Sequence, residues 1–139
     1  MSLSAADLAA IAARAYVHME PWSARAFEGT LAQPSSLLVS AQGGFVLGRV
    51  VLDEAEILAL ATDPAQQRRG VGRALLAMFE AEAAARGAAQ VFLEVAAANQ
   101  PAIGFYEACG YTTSGRRKGY YRHADGSRDD ALLMCRALT

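Results

Sequence analysis

Apolar residues recur three and four apart near the start of the chain, where Leu8, Ile11, Ala12, Ala15 and Met19 share one helical stripe. Ser4 opens that stripe, Asp7 follows at capping-box spacing, and Pro21 closes it. Ser23 is placed to cap a second short helix that stops before Pro34. The pattern changes at Leu37. Leu37-Leu38-Val39-Ser40, Phe45 to Leu52 and Glu56 to Thr62 predict three consecutive strands, with turns at Gly43-Gly44 and Asp53-Glu54 and a stop at Asp63-Pro64. Helical spacing returns over Gly70 to Arg86, with Val71, Leu75, Met78 and Phe79 on one face and Gly87 at the C-terminal cap. Val91 to Val95 is a short central strand. Pro101 then stands in the first turn of a helix that carries Ile103, Phe105 and Tyr106 and ends at Gly110. A strand from Tyr111, a hairpin turn at Asp125-Gly126 and a strand over Ala131 to Leu138 complete the pattern.

The predicted order is ααβββαβαββ. The strand–helix–strand unit between Ile57 and Val95 demands a parallel pair, while the hairpins around it are antiparallel. The fold class is therefore α/β, a mixed and mostly antiparallel sheet with helices on both faces. Composition changes this little. Of the 139 residues, 53% are hydrophobic, but 31 are Ala, so the core is ordinary and the surplus is small helix-forming residues. No run approaches the ~18 apolar residues of a membrane span, and MSLSAADLAA has no basic region of a signal peptide. A soluble, cytoplasmic protein with no membrane partner is expected. Thirteen basic against fourteen acidic residues give a net charge of −1, which predicts no direct nucleic-acid partner. Cys109 and Cys135 lack metal spacing and read as small core residues; His18 and His123 stand far apart, so no metal is expected.

The chemistry concentrates in two places. Gln67-Arg68-Arg69-Gly70-Val71-Gly72-Arg73 lies between a strand and a helix start, where unpartnered N–H groups and the helix dipole favour an anion. Its glycines allow close backbone approach to a pyrophosphate and its arginines add positive potential. A helix start that binds nothing is the bland alternative. The segment is no P-loop, because the chain contains no Gly-Lys pair, and no dinucleotide fingerprint, because Leu75 stands where a third small residue is needed. The second place is Glu94, the sole acid between Ala88 and Gln100, in an otherwise apolar strand where a carboxylate is costly unless solvated or paired. A neighbouring strand or an Arg could satisfy it without any catalytic role. The run Arg116-Arg117-Lys118 reads most simply as solvated charge.

Gln67-x-x-Gly70-x-Gly72 ahead of an amphipathic helix resembles the acetyl-CoA signature of the Gcn5-related N-acetyltransferases (GNAT). Within that superfamily, several further segments resemble the RimI-type ribosomal-protein-alanine N-acetyltransferases. They are Val51-Leu52-Asp53-Glu54-Ala55, Leu93-Glu94-Val95, Asn99, Phe105-Tyr106-Glu107, Gly110-Tyr111 and Tyr120-Tyr121 followed by Asp125-Gly126, with Pro21-Trp22-Ser23 near the start. The resemblance spans essentially the whole chain and implies one N-acetyltransferase domain over residues 1–139, a GNAT fold and acetyl-CoA as cosubstrate. It implies Glu94 as general base and Tyr106 as general acid. Backbone of Leu60, Ala61 and Thr62 would pair with the pantetheine arm, Arg68, Arg69, Gly70, Val71, Gly72 and Arg73 would cradle the pyrophosphate, and Asn99 would contact the cofactor. Trp22, Tyr120 and Tyr121 would line the acceptor channel, although strand packing or a staple between the first two helices explains them as well. Relatives often carry Arg after Leu-Glu-Val; Ala96 stands here, which removes a potential salt bridge or substrate contact.

The expected acceptor is the α-amine of a protein or peptide N-terminus, with the N-terminal Ala of a small-subunit ribosomal protein as candidate, acted on by a monomer or weak dimer. An α-amine attacks a thioester only when neutral, and its pKa of about 7.7–8.0 leaves most of it protonated near pH 7. A general base, acting directly or through one water, is therefore useful, as is a phenol to protonate the departing thiolate. A GNAT enzyme acting on a small amine or antibiotic, and a non-catalytic CoA-binding protein, are the alternatives.

Overall fold

The computed structural model describes residues 3–15, 23–41, 43–64, 70–122 and 125–138. Helices α1 (Ala5–Ala15), α2 (Ala24–Leu31), α3 (Val71–Ala85) and α4 (Gln100–Ala108) and strands β1 (Ser36–Ala41), β2 (Gly44–Val51), β3 (Glu54–Thr62), β4 (Gln90–Ala96), β5 (Thr112–Arg122) and β6 (Arg128–Ala137) follow the predicted order. The strands form one sheet in the order β1-β2-β3-β4-β6-β5. Among the described residues β3–β4 is the parallel pair and the other four pairings are antiparallel.

Local chemistry explains where the helices begin. Ser4 and Asp7 exchange backbone–side-chain bonds of 2.9 and 3.2 Å in a capping box. Ser23 accepts from the Ala26 amide at the start of α2, and Pro101 occupies the first turn of α4. The predicted end of the first helix, with Met19 and Pro21, falls outside the described residues.

The helices cover both faces. α3 and α4 pack Val71, Leu75, Leu76, Phe79, Ile103 and Tyr106 against Val91, Leu93 and Val95 of β4 and Met134 of β6. α1 and α2 pack Leu8, Ile11, Ala12 and Phe27 against Phe45, Leu47, Ala59 and Ala61 on the opposite face. Full burial of a side chain such as Leu75 or Phe79 stabilises the fold by about 1.5–3 kcal/mol. One register slip connects the two cores. Ala55 and Ile57 belong to the first and Ala59 and Ala61 to the second, although all four are odd-numbered. Leu47 pairs with Ala59 and Gly48 with Ile57, so Leu58 is an extra residue that reverses the alternation of β3. Gly48 itself lies under α3: a Cβ there would overlap the Glu56 carbonyl oxygen and come within 2.6 Å of the Phe79 ring.

Three expectations are corrected. Val51 pairs with Glu54, so the β2–β3 turn is Leu52-Asp53 rather than Asp53-Glu54, with Leu52 at a left-handed φ of 56°. Glu54 is thereby drawn into the strand. Met78 is 45% exposed, because the buried arc of α3 runs through Val71, Leu75, Leu76, Phe79 and Ala83 and leaves Met78 at its margin. Cys109 and Cys135 are free and half-buried rather than fully buried, and Cys109 packs at the margin of the α3–α4 core.

Candidate active site

The parallel β3–β4 ladder is short. It runs from Glu54 opposite Gln90 to Glu56 opposite Phe92. Beyond it, β3 continues to Thr62 alongside β2, and β4 continues to Ala96 alongside β6. The facing edges therefore part toward their C-terminal ends. Leu60, half-buried, packs on the α3–α4 core, Ala61 belongs to the α1–α2 core, and Thr62 is buried at the end of β3. The start of α3 meets this end of the sheet. A Cβ on Gly72 would stand 3.5 Å from the Phe105 ring and 3.6 Å from Thr62 Oγ1.

The α3 start differs from those of the other helices. Ser4, Ser23 and Asn99 cap α1, α2 and α4 with their side chains, whereas α3 begins at Gly70, left-handed at φ 74°, without a side-chain cap bond. Among the described residues nothing comes within 4 Å of where a β-carbon on this glycine would stand. An open helix N-terminus approached over bare backbone suits a pyrophosphate. Val71 turns its side chain into the core, so only its backbone can serve such a group. Arg73 sends its guanidinium to the Ala108 carbonyl oxygen at 3.1 Å, supporting the C-terminus of α4. Asn99 accepts from the Ala102 amide at 3.3 Å as the cap of α4. Arg68, Arg69 and Trp22 lie outside the described residues.

Glu94 and Tyr106 stand on opposite faces of β4. Leu93 and Val95 face the α3–α4 core, and Tyr106 belongs to that core, its ring edge-on to Phe105 at 5.2 Å and to Tyr111 at 5.6 Å. Alternation turns Glu94 to the other face, on the part of the sheet beyond α1 and α2. There Arg117 of β5 reaches it, Nη2 to Oε1 at 3.3 Å, with its guanidinium carbon 5.3 Å from the centre of the Tyr120 ring. Tyr121 shares this face; burial, with Glu94, Tyr120 and Asp129 nearby, pushes its phenol up to about 12. Asp129 accepts from the Ala98 amide at 3.0 Å, and so anchors the segment after β4. The structure thus gathers Glu94, Tyr120 and Tyr121 on one side of β4 and sets Tyr106 on the other.

Arg117 is the residue that sequence reasoning missed. Its run divides in the structure: Arg116 faces the other way and pairs with Asp130 at 2.6 Å, while Arg117 turns to Glu94. The alternation of β5 carried that signal, but the partner across β6 did not show in sequence. A separate groove of about 560 Å³ lies beside α2, lined by Arg25, Thr30, Gln33, Ser36, Arg49 and Leu58, and holds none of the predicted site residues. Among the described residues no group of acidic, His and Cys side chains is arranged to hold a metal, and no helix is long and apolar enough to cross a membrane.

Comparison with known proteins agrees with this architecture. Residues 7–111 match the Acetyltransferase (GNAT) family. The chain is 39% identical over 138 residues to the [Ribosomal protein bS18]-alanine N-acetyltransferase of Escherichia coli K12, covering 96% of this chain and 93% of that protein. It is 37% identical over 123 residues to the N-alpha-acetyltransferase RimI of Mycobacterium tuberculosis, covering 82% of this chain and 76% of that one. The crystal structure of the Escherichia coli ribosomal-protein-S18-alanine N-acetyltransferase superposes with a TM-score of 0.86 at 35% identity, over 100% of this chain and 92% of that one.

Proposed function

The chain belongs to the GNAT family of acetyltransferases and is an N-acetyltransferase, and from that premise we propose that it acetylates the α-amine of a protein N-terminus, with the N-terminal Ala of ribosomal protein bS18 as acceptor. The observation that carries this reading is similarity along nearly the whole length of both chains to an enzyme named for that acceptor. Acetyl-CoA, when bound, supplies a thioester-linked acetyl group. The diverging edges of β3 and β4 offer room for an extended arm beside Leu60, Ala61 and Thr62, and the uncapped start of α3 suits a pyrophosphate at Gly70, Val71 and Gly72. Of the arginines predicted for that cradle, Arg73 supports it indirectly, by bracing α4 against α3.

Glu94 accepts the proton that the acceptor's ammonium must lose, directly or through one water, and Tyr106 gives up its phenolic proton on the other side of β4, where the thiolate departs. Both groups are held on regular elements, Glu94 on β4 and Tyr106 on α4, and both elements are anchored beside the opening. An ion pair with Arg is also what a purely structural Glu94 would make, so the roles rest on kinetics. Glu94→Gln and Tyr106→Phe are each expected to lower kcat roughly a hundredfold or more while acetyl-CoA binding survives. Loss of binding in both variants, with the fold intact, would count against these roles. The acceptor is tested by mass spectrometry of Ala-starting peptides incubated with acetyl-CoA and the enzyme. If no peptide gains an acetyl group while a small amine does, the protein-acceptor reading gives way to a small-molecule one.

A further inference from the structure

Glu94 is held by a cation that is well placed to leave. The Arg117 side chain is 61% exposed, that of Glu94 only 18%, and their closest approach is 3.3 Å. Arg117 reaches the carboxylate from two strands away. Glu94 pairs with Leu133, which pairs with Gly115; one step along the same face, Ala96 pairs with Ala131, which pairs with Arg117. Ala96 and Ala131 therefore flank the guanidinium's path across β6 on one side, and Leu133, whose side chain lies over Gly115, borders it on the other. Its second neighbour is the face of the Tyr120 ring, an attractive site for a guanidinium whether or not the carboxylate is engaged.

Resting on the proposed role of Glu94 at the acceptor amine, we infer that Arg117 is a displaceable counter-ion, a positioning residue whose place at the carboxylate the incoming ammonium takes. Without acceptor, the guanidinium neutralises a carboxylate that shares its face with Asp129 and the half-buried Tyr121. When the acceptor enters, its ammonium replaces the guanidinium at Glu94, and Arg117 withdraws onto Tyr120. The exchange is feasible because an ion pair with so exposed a cation, at 3.3 Å, is weak. It also gives selectivity, since a ligand that carries no ammonium gains nothing by displacing the arginine.

The test measures binding of an Ala-starting peptide and of the same peptide with its amine already acetylated, to wild type, Arg117→Gln, Arg117→Lys and Glu94→Gln. Arg117→Gln is expected to bind the free-amine peptide up to about fivefold more tightly, the factor an exposed ion pair can contribute, with the blocked peptide unchanged. Arg117→Lys keeps the cation and is expected to return toward wild type. Unchanged or weaker binding of the free-amine peptide by Arg117→Gln overturns the inference, as does an equal gain for the blocked peptide. If Glu94→Gln binds the free-amine peptide as tightly as Arg117→Gln does, the ammonium gains nothing at the carboxylate, so the proposed role of Glu94 fails and the counter-ion role fails with it. Alaninamide against N-acetylalaninamide repeats the comparison without a peptide chain. A difference seen with that pair alone upholds the counter-ion and counts instead against the protein acceptor.

Discussion

Tyr111→Phe tests the joint that holds α4, and with it Tyr106, against the rest of the molecule. The Tyr111 ring is 2% exposed and its hydroxyl donates to Glu80 Oε2 of α3 at 2.8 Å. The other oxygen of Glu80 receives Arg136 Nη1 of β6 at 2.9 Å. The Tyr111 amide also donates to the Tyr106 carbonyl oxygen at 3.0 Å, so the residue ties α4 to α3 and β6 together. A hydrogen bond to a charged acceptor contributes about 1.5–3 kcal/mol, and Arg136 still pairs with Glu80 in the variant, which favours the lower end. A loss of about 1.5 kcal/mol is expected, or roughly 5 °C in Tm for a chain of this size. Burial and Glu80 hold the native phenol above its ordinary value. This contribution is therefore complete below about pH 10 and disappears as pH rises beyond it. Tyr121, pushed up to about 12, adds to the same alkaline slope. Urea unfolding followed by circular dichroism, at pH 7 and above pH 10, measures both effects. Glu80→Gln in the Tyr111→Phe background should cost less than in wild type, by at least about 0.5 kcal/mol of coupling. A loss under about 0.5 kcal/mol at pH 7, with no coupling to Glu80, would refute the assignment of this bond.

Two further outcomes follow from the geometry. Gly48→Ala puts a methyl group against the Glu56 carbonyl oxygen and the Phe79 ring, so a destabilisation of about 1–3 kcal/mol or failure to fold is expected, read from denaturant midpoints against Gly29→Ala, where nothing lies within 4 Å. The Asp130 carboxyl is held below its ordinary value by the Gly119 amide and by Arg116, and Asp7 by Ser4. Their stabilisation is present above the unfolded value near 4 and is lost as pH falls through the lower native values. Acid unfolding of Asp130→Asn should accordingly show a flatter pH dependence than wild type, and an identical slope would contradict the Asp130 assignment.

What was legible in the sequence was what a few neighbouring residues decide. The capping box at Ser4 and Asp7, the Ser23 cap, Pro101 in its first turn and the left-handed Gly87 all depend on contacts within four or five residues, and each stands where it was expected. The Gly70–Gly72 helix start is of the same kind, because a run of consecutive backbone amides is itself a local object. The acceptor side is assembled differently. Glu94, Arg117, Tyr121 and Asp129 come from three strands, and their meeting depends on register. Arg117 pairs with Ala131 and Tyr121 with Asp129, so four steps along β5 match only two along β6. Asp130 supports that slip, accepting from the Gly119 amide at 2.8 Å and from Arg116 at 2.6 Å, with Gly119 in the left-handed region. In regular alternation from Arg117, Tyr121 would still share its face, but it would lie opposite a residue two positions further along β6 and away from Asp129. The extra residues bring it back beside Asp129 and within electrostatic reach of Glu94. Ala96 gains meaning from the same register. It lies in line with Ala131 and Arg117, so an arginine at 96 would bring a second cation onto the strip from which Arg117 already serves Glu94. Glu94 thus finds its cation on β5, through a pairing that neither Arg117 nor Glu94 reveals when read along the chain.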